Sequence, residues 1–340
     1  MAAKPKILAA VSIVVALSAG AFLAYRNWRF NDSFSDRERL LALMPEDTNA
    51  VVYADLMQLR ASPFLVELFR LAPKVTPDND YTQFLNDTGF HYETDLSQIA
   101  LSINRQSQNA TLFAVAQGKF DRKRIEAFGS QYASLKTADG KTLFAVPLSG
   151  SNRKAYFTFL RDDRVAWAND SSYFFQKPRG NSSSEWREHF LRLAGTPIFA
   201  VLRQDSGTAE VLAAQAPGGF HSPQLATLLA QLQWISISAK PEGDLLRVVA
   251  DGECPTENTE HQLKEILSGL VVLAQMGLSD PKTRKRLDPA VLQGYLELLQ
   301  SADIQQLDQG TIRSVRVMLD VSPKLLEMRK SAASGADPAH

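Results

Sequence analysis

Glu257, His261 and Glu265 stand four residues apart, a spacing that would bring two carboxylates and an imidazole to one side of a helix, within reach of a metal ion. Successive turns of a straight helix, however, spread such ligands along its axis, so the pattern reads as a solvated face. Asp162 and Asp163, in "FLRDDRVAW", would supply an acid and a base. Adjacent strand residues point to opposite faces, and this pair separates two alternating apolar runs, which predicts a hairpin turn instead. Asp139 to Thr142, "DGKT", ends like a phosphate-binding loop, but the loop's first glycine would fall at Leu135. The amide cradle is therefore absent, and Asp139-Gly140 is a turn between strands. Cys254 is the single cysteine, which excludes an internal disulfide and a cysteine-based zinc site; it is read as a small buried side chain. No G-x-G-x-x-G, G-x-S-x-G or H-E-x-x-H pattern occurs. The expectation is a non-enzymatic protein with no catalytic, cofactor-binding or metal-binding residues and no cofactor.

Lys plus Arg number 37 and Asp plus Glu 37 in 340 residues, so no general basic field attracts nucleic acid, and none is expected as a partner. The densest basic run, Lys282 to Arg286 ("KTRKR"), has no interleaved aromatics. It reads as a solvated helix end or loop, with an anionic-lipid or nucleic-acid contact as the alternative. Apolar residues at 45% and charged residues at 22% are ordinary globular usage, so most of the chain should fold in water.

The exception is the start. Nineteen uncharged residues run from Ile7 to Tyr25. As a helix they extend about 28 Å, close to the roughly 30 Å of a bilayer's hydrocarbon layer. Ile7, Leu8, Val11, Ile13, Val14, Val15, Leu17, Phe22 and Leu23 form the apolar body, and Tyr25 and Trp28 a collar at the interface. An uncleaved transmembrane anchor over 1–26 is expected, contacting membrane lipid. A cleaved signal with Ala19-Gly20-Ala21 at its end, or a buried helix, are the alternatives. Arg26, Arg29, Arg37 and Arg39 after the span, against Lys4 and Lys6 before it, point to a cytoplasmic body. The order Lys-Pro-Lys, apolar run, small residues resembles an export signal, and on that basis the protein is placed in the inner (cytoplasmic) membrane, single-pass, with its body periplasmic or extracellular.

Beyond a juxtamembrane linker, 27–36, alternation from Val51 to Leu56 predicts a strand, and Ser62 caps a helix that opens at Pro63. "SPFLVELFRL" from Ser62 has a counterpart in "SPQLATLLAQL" from Ser222. The strands that follow also match: "LSQIALSI" (from Leu96) with "LQWISISA" (from Leu232), and "LFAVAQGKF" (from Leu112) with "LRVVADGEC" (from Leu246), pairing Ile99 with Ile235 and Gly118 with Gly252. A one-residue slip would turn every side chain over, so shared parity in two paired strands carries weight. Each hairpin leads into a helix, from Asp121 and from Thr256. The expected fold is α+β, with antiparallel-rich sheets, packed helices and an internal duplication: a first repeat over 37–176, a linker over 177–184, a second repeat over 185–330 and a disordered tail over 331–340.

Ile266 to Leu278 ("ILSGLVVLAQMGL") is thirteen uncharged residues, too short to span a bilayer. Being apolar nearly all round, it should be buried. Core packing is expected first; the alternative is an apolar ligand groove or partner surface made by Ile266, Leu267, Leu270, Val271, Leu273 and Met276.

The stretch "LLALMPEDTNAVVYADLMQLRASPF", after a single span, resembles the start of uncharacterised membrane-anchored bacterial envelope proteins with an "LP-x-D" opening, a strand and an "SP" helix. Here Met44-Pro45 replaces Leu-Pro. The resemblance implies an envelope setting and carries over no catalytic residue. Together these readings give a membrane-anchored extracytoplasmic binding or accessory (scaffold) protein with a protein partner in the envelope. A carrier or sensor of an apolar, lipid-like ligand is the first alternative, and an enzyme with an unfamiliar site the second.

Overall fold

Val51 and Tyr53 are shut away from solvent while Val52 and Ala54 are only half-buried, the period of two that defines a strand. In the computed structural model this strand is β1 (Ala50–Asp55). The structure describes residues 36–45, 47–71, 79–106, 109–138, 141–147, 154–175, 184–204, 223–286, 288–310 and 312–323. The anchor expected over 1–26, all but the last residue of the linkers expected over 27–36 and 177–184, and the tail over 331–340 lie outside the described residues. The chain divides into two units, 1–43 and 44–340. In the first, a helix covers 36–41 and Arg39 meets Asp36 at 2.9 Å.

In the second unit β1 leads into α1 (Leu56–Arg60), α2 (Pro63–Leu71), α3 (Asn79–Thr88) and α4 (Tyr92–Asp95), then β2 (Leu96–Gln106), β3 (Asn109–Gly118) and α5 (Arg122–Tyr132). Four strands follow, β4 (Ser134–Ala138), β5 (Lys141–Pro147), β6 (Lys154–Arg161) and β7 (Arg164–Ala168), and a 3-10 turn over Ser171–Phe174. Next come α6 (Ser184–Arg192), β8 (Ile198–Arg203), α7 (Pro223–Gln231), β9 (Trp234–Glu242) and β10 (Leu245–Cys254). The chain closes with α8 (Glu257–Ser279), α9 (Pro281–Arg286), α10 (Pro289–Gln300), β11 (Asp303–Gln309) and β12 (Ile312–Val321). Side-chain oxygens start the helices where the sequence places caps: the Leu65 N–H donates to Ser62 Oγ, Arg124 N–H to Asp121 Oδ1 and Thr259 N–H to Thr256 Oγ1, at 3.1–3.2 Å. Arg161 faces Arg164, so Asp162 and Asp163 are the two central residues of a hairpin turn. Ala138 faces Lys141 in the same way, with 139–140 outside the described residues.

The class is mixed helix and strand on an antiparallel sheet, as expected in that coarse form. Among the described residues the strands join one sheet in the order β11-β12-β10-β9-β8-β1-β2-β3-β7-β6-β5-β4. From the β1–β8 seam the same succession of pairings runs both ways, β1-β2-β3-β7-β6 on one side and β8-β9-β10-β12-β11 on the other. With β1 and β8 matched from their first residues, Ile99 beside Ala54 corresponds to Ile235 beside Leu202. The glycine match moves, however. Ile99 faces Ala116 and Ile235 faces Gly252, so Gly252 corresponds to Ala116, and Gly118 lies two residues on, past the irregularity between Leu96 and Gln98. A two-residue offset preserves parity, which is why sequence alternation did not register it.

One sheet face carries Val51, Tyr53, Phe199 and Val201, all at most 2% exposed. Above it Phe190 of α6 lies 5.9 Å from Phe199, and Trp186 meets Trp234 edge-on at 4.9 Å. The other face carries a core of Leu228, Leu232, Ile235, Cys254, Leu263 and Val315, to which α7 and α8 contribute. On the same face α5 approaches so closely that a Cβ on Gly129 would come within 2.9 Å of Phe144 and Phe157. Among the described residues no helix is long and apolar enough to cross a membrane.

Candidate binding cleft

Strand parity fixes which side chains share a row across the sheet. Outward from Tyr53 in β1 the row continues through Ala100, Val115 and Ala166, each at most 2% exposed. Outward from Val201, at the matching place in β8, it continues through Ser236, Asp251 and Arg316. The same steps of the same topology thus give an apolar core on one side of the seam and a hydroxyl, a carboxylate and a guanidinium on the other.

α6 lies over this polar row and, with the sheet, encloses a cleft of about 270 Å³. His189, Arg192 and Leu193 line it from the helix; Ser238, Glu253 and Ser314 line it from the sheet beside the polar row. Arg316 donates from Nε to Asp251 Oδ1 (2.7 Å) and from a terminal nitrogen to Oδ2 (3.0 Å), a bidentate pair that holds the Arg316 pKa above its ordinary value. Arg192 donates to Glu253 Oε1 at 2.6 Å and lies 3.0 Å from His189 Nδ1. A guanidinium only donates, so Nδ1 is the acceptor and the imidazole is neutral with its proton on Nε2. Burial, reinforced by the Arg192 charge, pushes His189 down to about 4. The 3.4 Å approach of Nδ1 to Glu253 Oε1 is therefore two acceptors bridged by one guanidinium, not an ion pair. Burial raises Glu253, opposed by the Arg192 hydrogen bond. The ring of His189 also packs on Trp234, with centroids 4.1 Å apart.

The two guanidiniums are each matched by a carboxylate, which leaves the cleft electrically balanced. The hydroxyls of Ser236, Ser238 and Ser314 can donate or accept. Such a lining suits a neutral or dipolar group. An imidazole near pKa 4 with Nδ1 occupied is a poor proton shuttle at neutral pH.

The residues singled out in the sequence lie elsewhere. The anchor residues from Ile7 to Trp28 are outside the described residues. His261 meets Glu265 at 3.1 Å on the exposed side of α8. Among the described residues no group of three or more His, Cys, Asp or Glu could hold a metal. Cys254 is buried, and burial pushes its thiol up to about 11. In the apolar run, Ile266 and Leu267 pack against the core and Leu270 and Val271 are half-buried, but Val272, Leu273 and Met276 are 52, 62 and 65% exposed. Core burial of the whole run is thus corrected. The sheet and α10 support one side of α8, and a sequence apolar all round leaves its outward side uncovered.

Asp251, Glu253 and Arg316 escaped the sequence reading because strands with alternating polar residues read as one-sided and solvated. The usable signal was Asp251 and Glu253 at one parity in "VVADGEC" facing Arg316 in "SVRVMLD". It needs the β10–β12 pairing to be known.

No family model matches this sequence, and no curated protein matches it. Among solved structures, crystal form I of TP0453 is similar with a TM-score of 0.46 and 8% identity over 86% of this chain and 96% of that one. Crystal form III of TP0453 gives 0.47 and 9% over 86% and 97%, and form IV 0.46 and 7% over 86% and 96%.

Proposed function

We propose that this is a non-enzymatic binding protein of the bacterial envelope, tethered by its N-terminal segment with the body outside the cytoplasm, and that its body arose by internal duplication. The polar cleft is where it holds a polar group of its partner. The observation that carries this reading is the row Ser236, Asp251, Arg316 standing where the first half has Ala100, Val115, Ala166. An apolar row stabilises a sheet without further help, whereas a half-buried ion pair roughly breaks even against it. Charges kept at such a place are explained by recognition better than by stability.

Replacing Asp251→Val together with Arg316→Ala places the first-half residues at two of the row's three positions and leaves Ser236 unchanged. The full chain should still fold, and cross-linking in detergent-solubilised membranes should lose the companion that the unaltered chain retains. A companion held equally by both chains, or by neither, sinks the proposal.

One observation favours a second reading. The cleft brings a histidine and two carboxylates together from α6 and β10, as an acid–base enzyme would require. A turnover abolished by His189→Ala and equally by Asp251→Asn or Glu253→Gln, with no companion cross-linked to the unaltered chain, would establish that reading in place of the first.

A further inference from the structure

The outward stripe of α8 changes character half-way along. His261, Gln262 and Glu265 are exposed and polar; two turns on, Val272, Leu273 and Met276 are more than half exposed. Directly after this apolar half comes α9, four of whose six residues are basic, "PKTRKR". Its position is fixed: the Asp280 N–H donates to Gly277 O of α8, and Asp280 in turn accepts from the Thr283 N–H on Oδ2 (3.2 Å) and from the Arg284 N–H on its carbonyl (3.0 Å). Arg284 and Lys285 are exposed.

An exposed apolar helical face followed directly by a turn of basic residues is what an interfacial membrane segment needs. Its aliphatic side chains enter the boundary between headgroups and acyl chains, and its charges meet anionic headgroups. Composition alone does not choose between lipid and protein, since lysine is depleted from protein interfaces but arginine and methionine are enriched there; the choice of lipid rests on an aliphatic stripe followed by clustered cations. The chain as a whole is neutral, so this cluster is a local feature and not part of a general basic field. Met276, with its adaptable thioether, accommodates an irregular surface.

We infer that the corner of α8 and α9 is a membrane-surface contact, with Val272, Leu273 and Met276 at the headgroup–acyl boundary and Arg284 and Lys285 on anionic headgroups. It is a point of attachment separate from the N-terminal segment. It holds the body with the C-terminal end of α8 against the lipid.

The test places an environment-sensitive fluorophore in the full chain at Leu17→Cys, His261→Cys or Met276→Cys. Cys254 is buried, so the unaltered chain measures a low background. Each chain is reconstituted in phosphatidylcholine nanodiscs, with or without phosphatidylglycerol, carrying a spin-labelled lipid as quencher. The expected result is loss of most emission at position 276 and none at 261, in the anionic discs. Arg284→Glu with Lys285→Glu should restore the emission, since each basic residue near such a surface contributes roughly fivefold in partition. Quenching at 17 without quenching at 276 overturns the inference and leaves the tether standing. Quenching at 276 without quenching at 17 supports the inference while the tether fails. Equal quenching at 276 with and without phosphatidylglycerol overturns the assignment of anionic headgroups. Dipolar coupling between copies spin-labelled at 276 in detergent overturns the inference in favour of a second copy of the chain.

Discussion

Arg316 holds Asp251 through two parallel hydrogen bonds across β10 and β12, at the step where Ala166 faces Val115 across β7 and β3. The pair is partly exposed, so its strength is moderated by solvent. Asp251→Ala alone strands the guanidinium and should cost about 1–2 kcal/mol. Asp251→Val with Arg316→Ala should return stability to near that of the unaltered chain. Urea unfolding of the single and double variants measures the difference, and additive losses would show that the pair does not act as a unit.

The pH dependence of stability should report His189. Its folded pKa, about 4, lies below the ordinary value near 6.5, so between these limits the unfolded chain binds more protons than the folded one. The contribution is therefore complete above pH 6.5 and is lost as pH falls toward 4. Thermal melts across that window should decline in the unaltered chain and decline less in His189→Gln. Parallel curves would assign the acid sensitivity to other groups.

The seam between β1 and β8 should be among the least tolerant places in the sheet. Tyr53 stacks on Phe199 with centroids 5.1 Å apart, and neither ring is more than 2% exposed. Phe199→Ala should cost about 3–5 kcal/mol. A denaturation midpoint within error of the unaltered chain would show that the seam is not a cooperative part of the fold.

Two glycines make opposite predictions. A Cβ on Gly118 would lie 2.4 Å from the Asp95 carbonyl oxygen, a backbone atom, so Gly118→Ala should destabilise by about 1–3 kcal/mol. A Cβ on Gly269, mid-way along α8, meets nothing within 4 Å, so Gly269→Ala should stabilise by up to about 1 kcal/mol. Calorimetric melts of the two variants should therefore move in opposite directions.

The elements were readable in the sequence for local reasons. Ser62 and Thr256 cap their helices through oxygens a few residues from the amides they accept. The Asp162-Asp163 turn follows from two alternating runs that stop and restart around it. The correspondence of Ile99 with Ile235 was visible because parity survives in sequence. The two-residue shift between Gly118 and Gly252 was not visible, because an even offset preserves parity and only the pairing of Ile99 with Ala116 and of Ile235 with Gly252 reveals it.

By itself, the sequence determined β1, the hairpins β2–β3 and β9–β10, the helices that open at Pro63, Asp121 and Thr256, the Asp162-Asp163 turn and the apolar character of α8, since each of these follows from neighbours a few bonds away. Only the tertiary structure decided that Asp251, Glu253 and Arg316 look into a cleft with His189 and Arg192, and that Val272, Leu273 and Met276 look out. The reason is that alternation gives a strand two faces without saying which of them another element covers. That choice is made by the order of strands in the sheet and by where α6 and α8 come to rest.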